Sequence, residues 1–92
     1  MATTERPTAT VLVVEDRREV LDVLQRTLSD NGYSVLTADD GESGLQMALD
    51  HRPDLVILDI GLPKRSGLHV ARELLQEAKA WRSSLLVIAL SS

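Results

Sequence analysis

The chain contains no cysteine and no phenylalanine, and it has only one tryptophan and one tyrosine. Without cysteine it can form neither disulfides nor thiolate metal sites. With so few aromatics, a core must be built from Leu, Val, Ile and Ala. An excess of positive charge is also missing. The net charge is −4 and the pI is near 5.0, which argues against bulk electrostatic attraction to nucleic acid or to an anionic membrane. The longest apolar run is six residues, 85–90, far short of the roughly 20 that cross a bilayer. The first ten residues lack the apolar stretch of a secretory signal, so a cytoplasmic location is expected. What remains is a 92-residue chain, 43% apolar and 26% charged, in the range of an ordinary one-domain globular protein. A domain this short has a thin stability margin.

Apolar patterning alternates along the chain. Residues 1–9 read as a flexible lead. The run 11–14 is continuous and β-branched-rich, which suits a strand buried on both faces. From 17 to 31 the period becomes helical, with Val20, Leu21, Leu24 and Leu28 on one face. Asp16 is expected to cap this helix, with Glu19 in capping-box position. Asn31-Gly32 is a stop signal. A second strand follows at 33–37, then a turn at Asp39-Asp40-Gly41 and a helix at 42–51 carrying Leu45, Ala48 and Leu49 inward. Arg52-Pro53 ends it. The third strand, 55–58, runs into Asp59. After a Gly/Pro loop, a helix from 68 to about 80 should turn Leu68, Ala71, Leu74, Leu75 and Ala78 inward. The fourth strand is 85–90. Such β-α-β-α-β-α-β alternation predicts a parallel sheet with right-handed crossovers and helices on both faces.

Two strands end in acid, Val14 before Glu15-Asp16 and Leu58 before Asp59. Strand C-termini of a parallel sheet share one edge, where ligands bind at a topological switch point. If the first and third strands are neighbours, three carboxylates converge. Two unit charges about 4 Å apart repel by roughly 4 kcal/mol at an effective dielectric of 20. A proton or a cation must offset this. An all-oxygen donor set suits Mg²⁺, or Mn²⁺, better than zinc. A carboxylate beside such an ion can act as a nucleophile toward phosphorus, giving an acyl phosphate. The plainer reading of each single acid is a strand-end turn residue meeting solvent.

The motifs VLVVED at 11–16, DGESGL at 40–45, PDLVILDIGLPKRSG at 53–67 and VIALSS at 87–92 resemble the receiver domain of bacterial two-component response regulators. The resemblance covers the chain from residue 10 on, so 10–92 is expected to be one receiver domain. It implies a three-layer flavodoxin-like α/β fold with strand order 2-1-3-4. It also implies that Asp59 is the phosphoacceptor, that Glu15 and Asp16 hold Mg²⁺ with Asp16 the more direct ligand, and that the Gly61 carbonyl is a further ligand. Ser91 matches the hydroxyl residue that bonds the phosphoryl group. The implied donor is a histidine kinase or a phosphotransfer protein, and the implied role is signalling rather than enzymatic turnover.

Where the family continues into a further helix, a fifth strand with its lysine, and a last helix, this sequence stops. Lys64 and Lys79 do not match the lysine's position. The expectation is therefore a C-terminally truncated receiver whose apolar fourth strand forms a sheet edge and promotes self-association. Two alternatives stand beside a switching receiver. One is a receiver-like interaction module that does not switch. The other is a Mg²⁺-dependent phosphatase, which would need a second acid where Gly61 stands. Arg17 reads as a solvated arginine at a helix start, with reach to the phosphoryl group as the lesser reading, His51 and His69 as surface histidines, and Trp81 as an apolar plug near a helix end.

Overall fold

The computed structural model describes residues 8–81 and 84–90. The elements run β1 (Thr10–Val14), α1 (Arg18–Asp30), β2 (Ser34–Ala38), α2 (Gly41–His51), β3 (Leu55–Asp59), α3 (Gly67–Ala78) and β4 (Leu86–Leu90). The four strands form one parallel sheet in the order β2-β1-β3-β4, as expected. The chain first steps from β1 to β2 on one side. It then returns past β1 to β3 on the other. With right-handed crossovers this reversal puts α1 on one face and α2 and α3 on the other.

Each layer has its own aliphatic core. On the α1 face, Val11, Val13 and Leu21 are buried, with Leu24, Leu28, Val35, Leu55 and Ile57 packed around them. On the opposite face Leu12, Val14, Val56 and Leu58 meet Leu45 and Ala48 of α2 and Val70 and Leu74 of α3. The all-apolar runs of β1 and β3 thus fill both faces of the central strands, which is why they show no polar alternation.

The helix ends differ in part from expectation. Asp16 does not cap α1. The N-cap is Arg17, extended and without a side-chain bond to the helix, and Asp16, one residue before it, lies in the cluster of acids beside Asp59. At the other end Gly32, at φ +91°, lets its own N–H reach Ser29 O at 3.0 Å and the Tyr33 N–H reach Leu28 O at 3.1 Å. These two bonds close the helix carbonyls, so Tyr33 serves α1 and β2 starts at Ser34. Asp40, read as a turn residue, caps α2: its Oδ1 accepts the Ser43 N–H at 2.7 Å. Ser66 caps α3 through the His69 N–H. Arg52 ends α2 in the left-handed region, φ 46°, and its guanidinium lies 5.6 Å from the Trp81 ring centroid. Half-buried Trp81 therefore stacks with a cation as well as filling space.

The inner face of α3 is a second correction. Gly67, Val70 and Leu74 are buried and Ala71 and Ala78 partly so, whereas Leu68 is 61% and Leu75 48% exposed. The cause lies at the first residue of the helix. A Cβ on Gly67 would collide with the Asp59 carbonyl oxygen and come within 2.6 Å of Leu58 Cδ1. Backbone packs on backbone there, and this contact sets the helix rotation so that the 67/70/74 stripe faces the sheet.

Two measurements test this account. Gly67→Ala should destabilise the fold by about 1–3 kcal/mol in urea unfolding. Gly61→Ala, whose Cβ meets nothing within 4 Å, should stay within about 0.5 kcal/mol of wild type. Equal effects would show that the close approach is not what selects glycine. The second test concerns Asp40. The Ser43 backbone N–H bond, with smaller help from the Ser43 hydroxyl and Lys64, outweighs desolvation and lowers its carboxyl below the ordinary 3.8. A lowered folded-state value contributes stability above pH 3.8 that is lost as pH falls through the folded value. The melting-temperature gap between wild type and Asp40→Asn should therefore be present at about pH 7 and close below pH 3.8.

Candidate functional site

β1 and β3 are hydrogen-bonded neighbours, with Val14 opposite Leu58. The residues that follow these two positions, Glu15-Asp16 and Asp59, meet at the C-terminal edge of the sheet, at the point where the chain reverses direction across it. One carboxylate oxygen from each of Glu15, Asp16 and Asp59 lies within 4.8 Å of the others. Glu15 is 1% and Asp59 3% exposed, whereas Asp16 is open to solvent. Two carboxylates are thus taken from water and one is left at the mouth.

The surrounding backbone fixes these positions. The Glu15 N–H donates to Ala38 O at 3.0 Å, extending the β1–β2 ladder beyond the strands. The Ile60 N–H donates to Leu90 O at 3.0 Å and does the same for β3 and β4. The Gly61 N–H donates to Asp59 Oδ1 at 3.2 Å and sets the rotation of that carboxylate. The loop is tied down by Gly67 N–H to Ile60 O at 2.9 Å and by Gly41 N–H to Pro63 O at 3.2 Å.

Arg17 is not merely solvated, as the sequence suggests. Its Nε donates to Glu15 Oε2 at 3.1 Å, its Nη2 to Oε1 at 3.2 Å, and its backbone N–H to Oε2 at 3.0 Å. Burial pushes the Glu15 carboxyl up, but these bonds and the guanidinium charge outweigh it and hold the group below its usual 4.5. The same bonds raise the Arg17 guanidinium further, with smaller contributions from Asp59 and Asp16. The signal was the Glu15-x-Arg17 spacing across a strand end, where a residue two positions on can fold back over the first. Lys64, read as a solvated loop lysine, stands at φ 69° with its Nζ 3.7 Å from Asp40 Oδ2, and is still 65% exposed. His51 and His69 lie at the surface, and His69 Nε2 is 2.9 Å from Glu73 Oε1. Ser91 lies outside the described residues.

The donor set fits a small hard dication. Mg²⁺ takes oxygen ligands, and the three carboxylate oxygens gathered within 4.8 Å of one another offer such a set. Three acids against one guanidinium also leave two negative charges for a cation to offset.

Known proteins carry the same features. The family model for the response regulator receiver domain matches residues 11–92. The chain is 43% identical over 67 residues to the alkaline phosphatase synthesis transcriptional regulatory protein PhoP of Bacillus subtilis, an alignment covering 73% of this chain and 28% of that protein. The chain thus spans little more than a quarter of that relative's length. Among solved structures, a response regulator receiver domain protein from Clostridium thermocellum superposes with a TM-score of 0.81 at 30% identity, over 90% of this chain and 64% of that one. The chemotaxis response regulator CheY4 of Vibrio cholerae gives 0.78 at 30% identity, over 88% and 68%. With its parallel 2-1-3-4 sheet and acids gathered at the switch point, the chain belongs to the response regulator receiver domain family.

Proposed function

We propose that this receiver accepts a phosphoryl group on Asp59, with Mg²⁺ held by Glu15, Asp16, Asp59 and the Gly61 carbonyl, as one step of a two-component relay. The convergence of three carboxylate oxygens within 4.8 Å carries the reading. The Gly61 N–H on Oδ1 steadies the Asp59 carboxylate, so one oxygen can be spared for phosphorus. That oxygen forms the new O–P bond as the P–N bond of a phosphohistidine breaks, and the imidazole leaves with the electron pair. A metal held there would supply charge neutralisation at the phosphoryl oxygens. Glu15 and Asp16 would anchor it from the β1 side, Asp59 and Gly61 from the β3 side. Ser91 is assigned to the phosphoryl oxygens on the resemblance alone. The donor would be a histidine kinase or a phosphotransfer protein. Among the described residues no helix is long and apolar enough to cross a membrane, and neither a membrane nor nucleic acid is proposed as a partner.

A second proposal concerns partners. β4 is the outer strand of the sheet among the described residues. It carries no charge, and Leu86 is 68% and Ile88 47% exposed. Both lie on the α1 face, beside Leu55 and Ile57. An uncharged strand edge with apolar side chains offers a template for pairing, which supports self-association of the 92-residue chain.

Two experiments test these proposals. Incubation with acetyl phosphate and Mg²⁺ should add one phosphoryl group per chain by intact-mass measurement, removed by Asp59→Asn and by chelation of the metal. Absence of labelling would favour the non-switching interaction module, and continuous release of phosphate the phosphatase. In sedimentation velocity the chain should run larger than a monomer, and Leu86→Lys with Ile88→Lys should shift it toward monomer. A well-dispersed wild-type monomer would refute the association.

A further inference from the structure

The acidic site already contains a cation. Arg17 spends three donors on one carboxylate: its backbone N–H and Nε on Glu15 Oε2, and its Nη2 on Oε1. The two partners are held very differently. The Glu15 side chain is 1% exposed and fixed at the end of β1, while the Arg17 side chain is 47% exposed. The anion is therefore the fixed member and the guanidinium the movable one, able to swing into water on its long stem. Arg17 also occupies the N-cap of α1 without bonding the helix through its side chain, so releasing Glu15 breaks no cap.

We propose that Arg17 is a resident counter-cation of the acidic site, one that competes with a divalent metal for Glu15. This rests on the Mg²⁺ reading given above. Both oxygens of Glu15 are engaged by the fork, so a Glu15 oxygen turned to a metal, or to a water on the metal, gives up or shares an arginine bond. The guanidinium also places a positive charge beside the position a dication would take, and like charges repel. In the metal-free protein the same fork neutralises Glu15 and lets it be buried beside Asp59. Arg17 thus stabilises the metal-free protein and raises the metal concentration needed to fill the site. Once displaced, the guanidinium is free at the mouth of a site to which a phosphoryl donor brings negative charge.

The test uses Mg²⁺ alone, titrated calorimetrically into the 92-residue chain and into Arg17→Met and Arg17→Lys. Met keeps the apolar stem without charge or donors, and Lys keeps the charge without the planar fork. Arg17→Met should bind Mg²⁺ about five- to tenfold more tightly, with Arg17→Lys between it and wild type. The gap between wild type and Arg17→Met should narrow as NaCl is raised, because salt screens the repulsion. Arg17→Met should melt lower than wild type without metal and gain more from its addition. Equal Kd values with a lower melting temperature would reduce Arg17 to a structural residue and overturn the proposal. Weaker binding in Arg17→Met would overturn it too, by showing that the fork orients Glu15 for the metal. If Arg17→Met does not fold by circular dichroism, the milder Arg17→Lys decides between the same outcomes. If wild type and both variants all fail to bind Mg²⁺, the metal reading itself falls and this inference with it. That outcome is distinct from a wild type that binds and variants that bind no better.

Discussion

The pairing of β1 with β3 is the constraint on which the rest of this receiver depends. It is set by aliphatic burial: Leu12, Val14, Val56 and Leu58 are all at or near zero exposure on the face shared with α2 and α3. That burial forces a placement electrostatics opposes, because the residues immediately beyond Val14 and Leu58 are acids. Repulsion between one such pair is of the order of 4 kcal/mol at about 4 Å and an effective dielectric of 20. A small domain has only about 5–15 kcal/mol of net stability. The acid cluster and the core are therefore in opposition. The fold tolerates the site because the acids sit at a strand end, where Asp16 reaches water and Arg17 reaches Glu15.

Much of this was legible in the sequence, and the reasons differ by residue. The strands were readable because both faces of a central parallel strand are buried, which leaves an unbroken apolar run. The acids were readable because they stand where such runs end. That β1 and β3 are neighbours was carried by the resemblance, not by periodicity. Side-chain pairings were harder. Arg17 and Glu15 meet only because the chain bends between β1 and α1, and helical spacing rules do not describe a bend. The loss of Asp16 as a cap has the same origin, since the bend makes Arg17 the N-cap and leaves Asp16 outside the helix. The α3 stripe was misjudged because Leu68 and Leu75 outweigh Gly67 and Val70 in hydrophobicity, while the decisive contact is glycine backbone against the Asp59 carbonyl. Hydropathy carries no information about a side chain that must be missing.

The contact at Gly67 also links the site to the helices. Asp59 ends β3, its carbonyl packs against the first residue of α3, and the Gly67 N–H bonds the next carbonyl, that of Ile60. Further along the loop, Pro63 O accepts the Gly41 N–H, and Lys64 approaches Asp40, so the first turn of α2 rests on the same segment. Gly41 has no room for a Cβ against the Arg65 carbonyl oxygen. Three elements thus meet around one short loop through backbone contacts, which cannot relax by changing a rotamer. Movement of the loop after Asp59 must therefore shift α2, α3 or both. Packed interfaces of this kind tend to adopt discrete arrangements rather than deform continuously. The Asp59 carboxylate is tied to the root of that loop through the Gly61 N–H. The same glycine-bound geometry that places the Asp59 carboxylate thus also joins it to the α2–α3 face.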